Sequence, residues 1–279
     1  MAISHLLDDM NTYHRYRDSG RPLEYLVECW ARGWSSDAAE KEEYDWACME
    51  PVDDALDDPE RRAHHDARLQ MILQILADAG QRVLVPLLRA LGERVDTLVL
   101  SHRDADHTGG ALAVLAMQPR ATLLSSIEPE HDIQAVRPAT RCEAGQHWRW
   151  DGVDFAVLHP PATAYDTPAR SNAMSCVLKI SNGRQSALLV GDIEKDQERL
   201  LVQGGAPLQS TVLLVPHHGS KTSSSGIFLD AVQPRIGLVQ SGYRNRFGHP
   251  ADEVVERYEA RSIALFDSPH CGAATWRSA

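Results

Sequence analysis

Residues 95–110 read Val-Asp-Thr-Leu-Val-Leu-Ser-His-Arg-Asp-Ala-Asp-His-Thr-Gly-Gly. The apolar run predicts a strand over 95–101, and it is followed at once by His102, Asp104, Asp106 and His107, four possible metal ligands within six positions. Thr108, Gly109 and Gly110 predict a sharp turn into a helix over Gly110 to Met117. Layered α/β domains gather ligands at strand ends and in the loops that follow. Imidazole and carboxylate at this density suit a divalent metal. A helix cap needs one acceptor, whereas this loop supplies two carboxylates and two imidazoles.

Outward from that loop the texture repeats. Short apolar runs predict further strands over 121–126, 152–159, 174–181, 186–191, 211–216, 235–241 and 262–266. Helical spacing marks Val83 to Leu91, Glu194 to Val202 and Asp252 to Arg261. Near-continuous apolar strands interleaved with helices imply sheets covered by helices, hence an α/β layered domain.

Two of these strands end in chemistry. Ser186 to Asp192 closes on Gly191-Asp192, where a strand-end carboxylate can bridge two metals. Val215-Pro216-His217-His218-Gly219-Ser220-Lys221-Thr222-Ser223-Ser224-Ser225 offers a metal ligand, a proton donor and partners for phosphate oxygens. His159, before two prolines, reads as structural, and His64 and His65 read as a solvated helical face.

The three motifs, in this order and separation, resemble the metallo-β-lactamase-like domain at the C-terminus of ComEC-type DNA-uptake proteins. Residues 82–92, 172–178 and 245–250 share the resemblance, which covers about 200 residues. It implies an αββα sandwich holding one or two divalent metal ions on His102, Asp104, Asp106, His107, Asp192 and His218. Asp104 stands where the wider superfamily carries a second His. That exchange hardens the site, favouring Mn²⁺ or Mg²⁺ relative to an all-imidazole zinc site without excluding Zn²⁺. Likeness to Val-Pro-Gly-His-Gly points to His218 as the ligand beside His217. Catalytic roles fall to Asp106, His217 and His249, the last in leaving-group protonation or phosphate binding. Asn172, Ser175, Ser220, Lys221, Ser223 and Ser225 are the expected substrate contacts.

The implied activity is a phosphodiesterase or nuclease acting on single-stranded DNA. Hydrolysis of a small ester, lactone or thioester remains open on the same fold, as does a metal-binding remnant without turnover. Two features depart from the pattern. A strand pair with a segment ending in Asp-x-Gly normally precedes the metal loop, and only Ala77-Asp78-Ala79-Gly80 stands there, so the opening strands read as missing or replaced. The long membrane-spanning region of such proteins is also absent from this sequence.

The formal net charge of −11 is uneven, since residues 1–77 hold 17 acidic against 8 basic residues. That region reads as mainly helical around an acidic linker, and residues 78–279 as the hydrolase domain. The hydrolase part, with 22 acidic and 20 basic residues, carries no basic footprint for nucleic acid, so a phosphate substrate must be held by metal and local donors. Five cysteines without tight spacing predict reduced, mostly buried thiols and no thiolate zinc site. Neither a signal peptide nor a membrane span is evident, which gives cytoplasmic location as the expectation.

Overall fold

A computed structural model of the chain describes residues 80–243 and 245–278. Residues Leu84–Ala279 form one compact unit. The expected acidic helical region (residues 1–77), Asp78 and Ala79 of the Asp-x-Gly segment, His64, His65, Cys29 and Cys48 lie outside the described residues.

Helix α1 (Val85–Leu91) carries a proline in its first turn and ends on Gly92 in the left-handed conformation. Three parallel strands follow: β1 (Thr97–Leu100), β2 (Thr122–Ser125) and β3 (Ala139–Arg141). They are linked through α2 (Ala105–Thr108), α3 (Ala111–Met117) and α4 (Asp132–Val136). A second, seven-stranded sheet contains β4 (His147–Trp150), β5 (Val153–His159), β6 (Val177–Ser181), β7 (Ser186–Leu189), β8 (Val212–Leu214), β9 (Ile236–Val239) and β10 (Ala264–Asp267). Its order is β10-β9-β8-β7-β6-β5-β4, antiparallel from β4 to β7 and parallel from β7 to β10. Helices α5 (Lys195–Gln203), α6 (Gly226–Val232) and α7 (Asp252–Glu259) lie between its parallel strands in sequence, and α8 (Ser268–Cys271) closes the set.

Three apolar clusters define the layers. Leu124, Val157 and Leu178 pack between the sheets, joined by Val99, Trp148 and Phe155. Leu100, Leu115, Leu123 and Ile133 join α3 and α4 to the outer face of the small sheet. Leu188, Leu213, Phe228, Leu229, Val254 and Tyr258 join α6 and α7 to the outer face of the large one. Alternation along a strand explains this: Leu123 faces the helices and Leu124 the opposite sheet. The architecture is the expected α/β sandwich of two sheets between helical layers.

Several local expectations are corrected. Cys142 and Cys176 are paired as a disulfide in the intersheet core, so the reading of reduced thiols fails for this pair; Cys271 is free and exposed. Wide spacing, 34 residues here, hid a pair that the fold brings together. Strands β3 and β4 and helix α4 went unread because Ala-Thr-Arg and His-Trp-Arg-Trp lack an apolar run and α4 has only five residues; α6, which starts straight after the serine-rich loop, also went unread. The turn at 109–110 uses no left-handed glycine. Gly109 has φ −58°, and a Cβ there would stand 2.7 Å from the Ala105 carbonyl oxygen, so close approach is what demands glycine.

Candidate metal centre

The loop after β1 brings the first ligands in. Asp104 occupies the N-cap position of α2 without a side-chain capping bond, and Thr108 returns its hydroxyl to the Asp104 carbonyl at 3.1 Å, fixing the turn that carries Asp106 and His107. Gly191 brings in the next. At φ +55° it lies so close to the first loop that a Cβ would meet Ser101 Cβ at 2.8 Å and Ser175 Cβ at 3.0 Å. Asp192 follows, buried, its N–H donated to Ser175 Oγ at 3.0 Å.

Asp106, His107, Asp192 and His218 offer ligand atoms that all lie within 4.8 Å of one another. His107 Nε2 is 3.2 Å from Asp192 Oδ1, and His218 Nε2 is 3.2 Å from Asp106 Oδ2 and 3.4 Å from Asp192 Oδ2. His102 abuts the cluster, its ring centroid 4.1 Å from that of His107, and its Nε2 lies 3.6 Å from Asp104 Oδ2. Both His102 Nε2 and His107 Nε2 are buried without a hydrogen bond. Such orphaned nitrogens beside carboxylates fit a divalent cation.

The opposite ring nitrogens are all held. Ser101 Oγ is 3.0 Å from His102 Nδ1 and 3.1 Å from His107 Nδ1, and Ser175 Oγ is 3.3 Å from His102 Nδ1. His218 Nδ1 lies 2.6 Å from the Gln240 carbonyl oxygen, the backbone partner that fixes a metal-binding tautomer. Burial opposes charge on Asp192, but the imidazoles of His107 and His218 outweigh it and hold its carboxyl well below the usual range. The hydrogen bond to Asp192 outweighs burial at His218 and raises it to about 9. Burial, then neighbouring His107, lowers His102, which keeps that ring neutral and fit to ligate.

His217 takes a different position. It and His218 occupy consecutive left-handed conformations, φ +49° and +55°, a strained turn for side chains of this size that aims the two rings apart. His217 Nδ1 lies 3.1 Å from Thr222 Oγ1 and 3.5 Å from Glu194 Oε1. Its Nε2 lies 3.4 Å from Asn172 Nδ2 and 3.9 Å from Asp192 Oδ2. The His249 ring stands 6.0 Å beyond His217, and burial lowers its pKa.

The expected substrate contacts divide. Lys221 is exposed and Asn172 half-buried at the cluster's edge. Ser175 and Ser223 are fully buried: Ser175 holds Asp192, and Ser223 donates to the Pro216 carbonyl at 2.8 Å. Ser220 is buried with its hydroxyl 3.2 Å from Thr222 Oγ1, and the Ser225 backbone N–H goes to Glu198. The Ser220 and Ser223 hydroxyls thus brace the loop, and that of Ser175 braces Asp192.

Sequence reasoning missed the braces. Glu198 is buried on α5, and its carboxylate accepts the Ser224 and Ser225 N–H groups at 2.5 and 2.8 Å. Arg257 of α7 donates to the Ser223 and Ser224 carbonyls, so two helices grip the loop that bears the His pair. The available signal was a charge three residues before Leu201, on the apolar face of α5.

Residues 68–242 match the family model of the metallo-beta-lactamase superfamily. The chain belongs to the metallo-beta-lactamase superfamily. Within it, the chain is 41% identical over 202 residues to Competence protein ComA of Neisseria gonorrhoeae, spanning 70% of this chain and 27% of that protein. It is 35% identical over 183 residues to Recombination protein 2 of Haemophilus influenzae, spanning 65% and 22%. It is 31% identical over 209 residues to ComE operon protein 3 of Bacillus subtilis, spanning 71% and 26%. The metallo-beta-lactamase domain is thus of the ComEC type, and the chain spans about a quarter of the length of these relatives. Among the described residues no helix is long and apolar enough to cross a membrane.

Proposed function

We propose that residues 78–279 form a metal-dependent phosphodiesterase that cleaves single-stranded DNA. The observation that carries this reading is His217, held by Glu194, Thr222 and Asn172 at the edge of the Asp106, His107, Asp192 and His218 cluster. Names of relatives that speak of competence and recombination support nucleic acid as the substrate.

His102, His107, His218, Asp104, Asp106 and Asp192 would hold one or two divalent ions, Mn²⁺, Zn²⁺ or Mg²⁺. When bound, such ions polarise phosphoryl oxygens and acidify water. The chain's own residues do the rest. Lys221 contacts a phosphate oxygen, Thr222 and Glu194 orient His217 through Nδ1, and His217 relays a proton to the leaving oxygen with Asn172 and His249 alongside. Nuclease assays of purified protein with each metal, run beside Asp106→Ala, test the reading. Single-stranded DNA cleavage that needs metal and is lost in Asp106→Ala is the expected result, and no cleavage with any of the three ions overturns it.

A second reading, hydrolysis of a small ester or thioester, is favoured by one observation. A cavity of about 210 Å³ beside His107, Asp192 and His218 is walled by Val99, Leu178, Leu189 and Leu214, a lining suited to an apolar acyl group. Turnover of short acyl thioesters with no cleavage of DNA or aryl phosphodiesters favours that alternative.

A further inference from the structure

The segment from Ser241 to Pro250 carries features that the hydrolytic site does not use. Tyr243 and Phe247 are 68% and 66% exposed, four residues apart. Single exposed aromatics are ordinary, but Phe247 is built into a stack. Its ring stacks on the His249 imidazole at 5.7 Å and 16°, and the Arg246 guanidinium lies 4.8 Å from its centroid. His249 in turn lies 6.0 Å from His217, whose ring is tilted by 60° to it, and His217 Nε2 lies 3.9 Å from Asp192 Oδ2. Asn245 stiffens the turn: its Nδ2 donates to the Gly242 and His249 carbonyls, and its Oδ1 accepts the His249 N–H.

A preset stack of flat groups between solvent and the residues beside the metal-binding carboxylate suits a ligand that carries flat groups on an anionic backbone. We infer that Phe247 forms a stacking platform for an unpaired nucleobase next to the scissile phosphate, with Arg246 placed to meet the strand's backbone and Tyr243 as a second exposed ring on the same segment. This rests on the phosphodiesterase reading and deepens it. A duplex hides its base faces, so the platform selects single strands and tolerates any sequence, because every base has a stacking face. It also supplies what the near-neutral charge of the domain does not, a grip on nucleic acid that needs no basic surface.

Fluorescence anisotropy of the full chain, with Ca²⁺ as the probe metal, tests this with a single-stranded DNA and an abasic strand of equal length. Native protein is expected to bind the base-bearing strand about 5- to 100-fold more tightly, the scale of one or two stacked bases. Phe247→Ala and Tyr243→Ala should each erode that preference, and Phe247→Trp should retain it. A ribonucleotide strand run in parallel assigns the bases to DNA or RNA. Equal binding of both strands by native protein, or an undiminished preference in Phe247→Ala, overturns the platform. Hydrolysis of bis(p-nitrophenyl) phosphate by native protein separates the two ideas. Turnover without base-dependent binding sinks the platform alone, whereas no turnover with Mn²⁺, Zn²⁺ or Mg²⁺ sinks the phosphodiesterase reading and the platform with it.

Discussion

Replacing Glu198 tests how the His217-His218 turn is held. Its two carboxylate oxygens accept two backbone N–H groups, from Ser224 at 2.5 Å and Ser225 at 2.8 Å, and the side chain is wholly buried. Glu198→Ala leaves both donors without a partner, at about 1–3 kcal/mol each. Ser225 is half-buried, so water can reach its N–H, and a total cost of about 2–4 kcal/mol is expected. Glu198→Gln keeps one acceptor and turns an amide NH₂ towards the other donor, which costs about 1–3 kcal/mol before any gain from removing a buried charge. Burial raises the Glu198 pKa, outweighing the hydrogen bonds from Ser225 and Ser224. A carboxyl raised on folding stabilises fully below its unfolded value, and that contribution is lost as pH rises through the folded value. Gln has no such dependence, so the gap between native protein and Glu198→Gln should widen between pH 7 and pH 5. Urea unfolding of the metal-free chain at both pH values measures it, keeping metal affinity out of the comparison. Turnover of metal-loaded Glu198→Ala should fall at least tenfold, since a loop shifted by about 1 Å can cost 10²-fold. Stability of Glu198→Ala within about 0.5 kcal/mol of native, a change too small for lost buried hydrogen bonds, would refute the clamp.

Three further outcomes are expected. Asp104→His, which adds a borderline-soft nitrogen beside His102, should move the metal preference from Mn²⁺ towards Zn²⁺ at matched occupancy, and native protein active with zinc alone would count against this. His218 sits at about 9 without metal, so metal entry below that pH must displace its proton. Calorimetry at pH 7 in buffers of different ionisation heat should therefore show about one proton released, and affinity should rise with pH; pH-independent binding would contradict it. His218→Ala should lose metal and activity together, whereas His217→Ala should keep the metal and lose about 10²-fold in turnover, and metal analysis giving the reverse pattern would exchange the two roles.

The parts of the centre that were legible in the sequence are contiguous. His102 to Gly110, Gly191-Asp192 and Pro216 to Ser225 each follow an apolar strand, and a strand end plus a cluster of ligand-type residues is a local signal. The layers were legible for the same reason, since Leu123 and Leu124 on β2, or Val177 and Leu178 on β6, are neighbours that face opposite layers. Contacts formed across long separations were not. The Gln240 carbonyl that holds His218 is a backbone atom with no signature in residue type, and Cys142 meets Cys176 only because the end of β3 in the small sheet faces the start of β6 in the large one. Short elements such as β3 fell below the length at which alternation can be read.

The serine-rich loop shows why residue type alone misassigned its contacts. Ser, Thr and Lys after a strand look the same in sequence whether their hydroxyls face a phosphate or face inward. The deciding constraint is that two consecutive left-handed residues end regular hydrogen bonding, and buried backbone groups must then find other partners. The loop finds them in itself and its neighbours: Ser223 serves the Pro216 and Ser220 carbonyls, Glu198 takes two N–H groups, and Arg257 takes two carbonyls. What remains facing solvent is Lys221, with Thr222 linking Glu194 to His217. The hydroxyls therefore act mainly by fixing where two imidazoles point. A Glu on the apolar face of α5 was the distant sign of that demand, because a buried carboxylate is tolerated only where donors are already waiting for it.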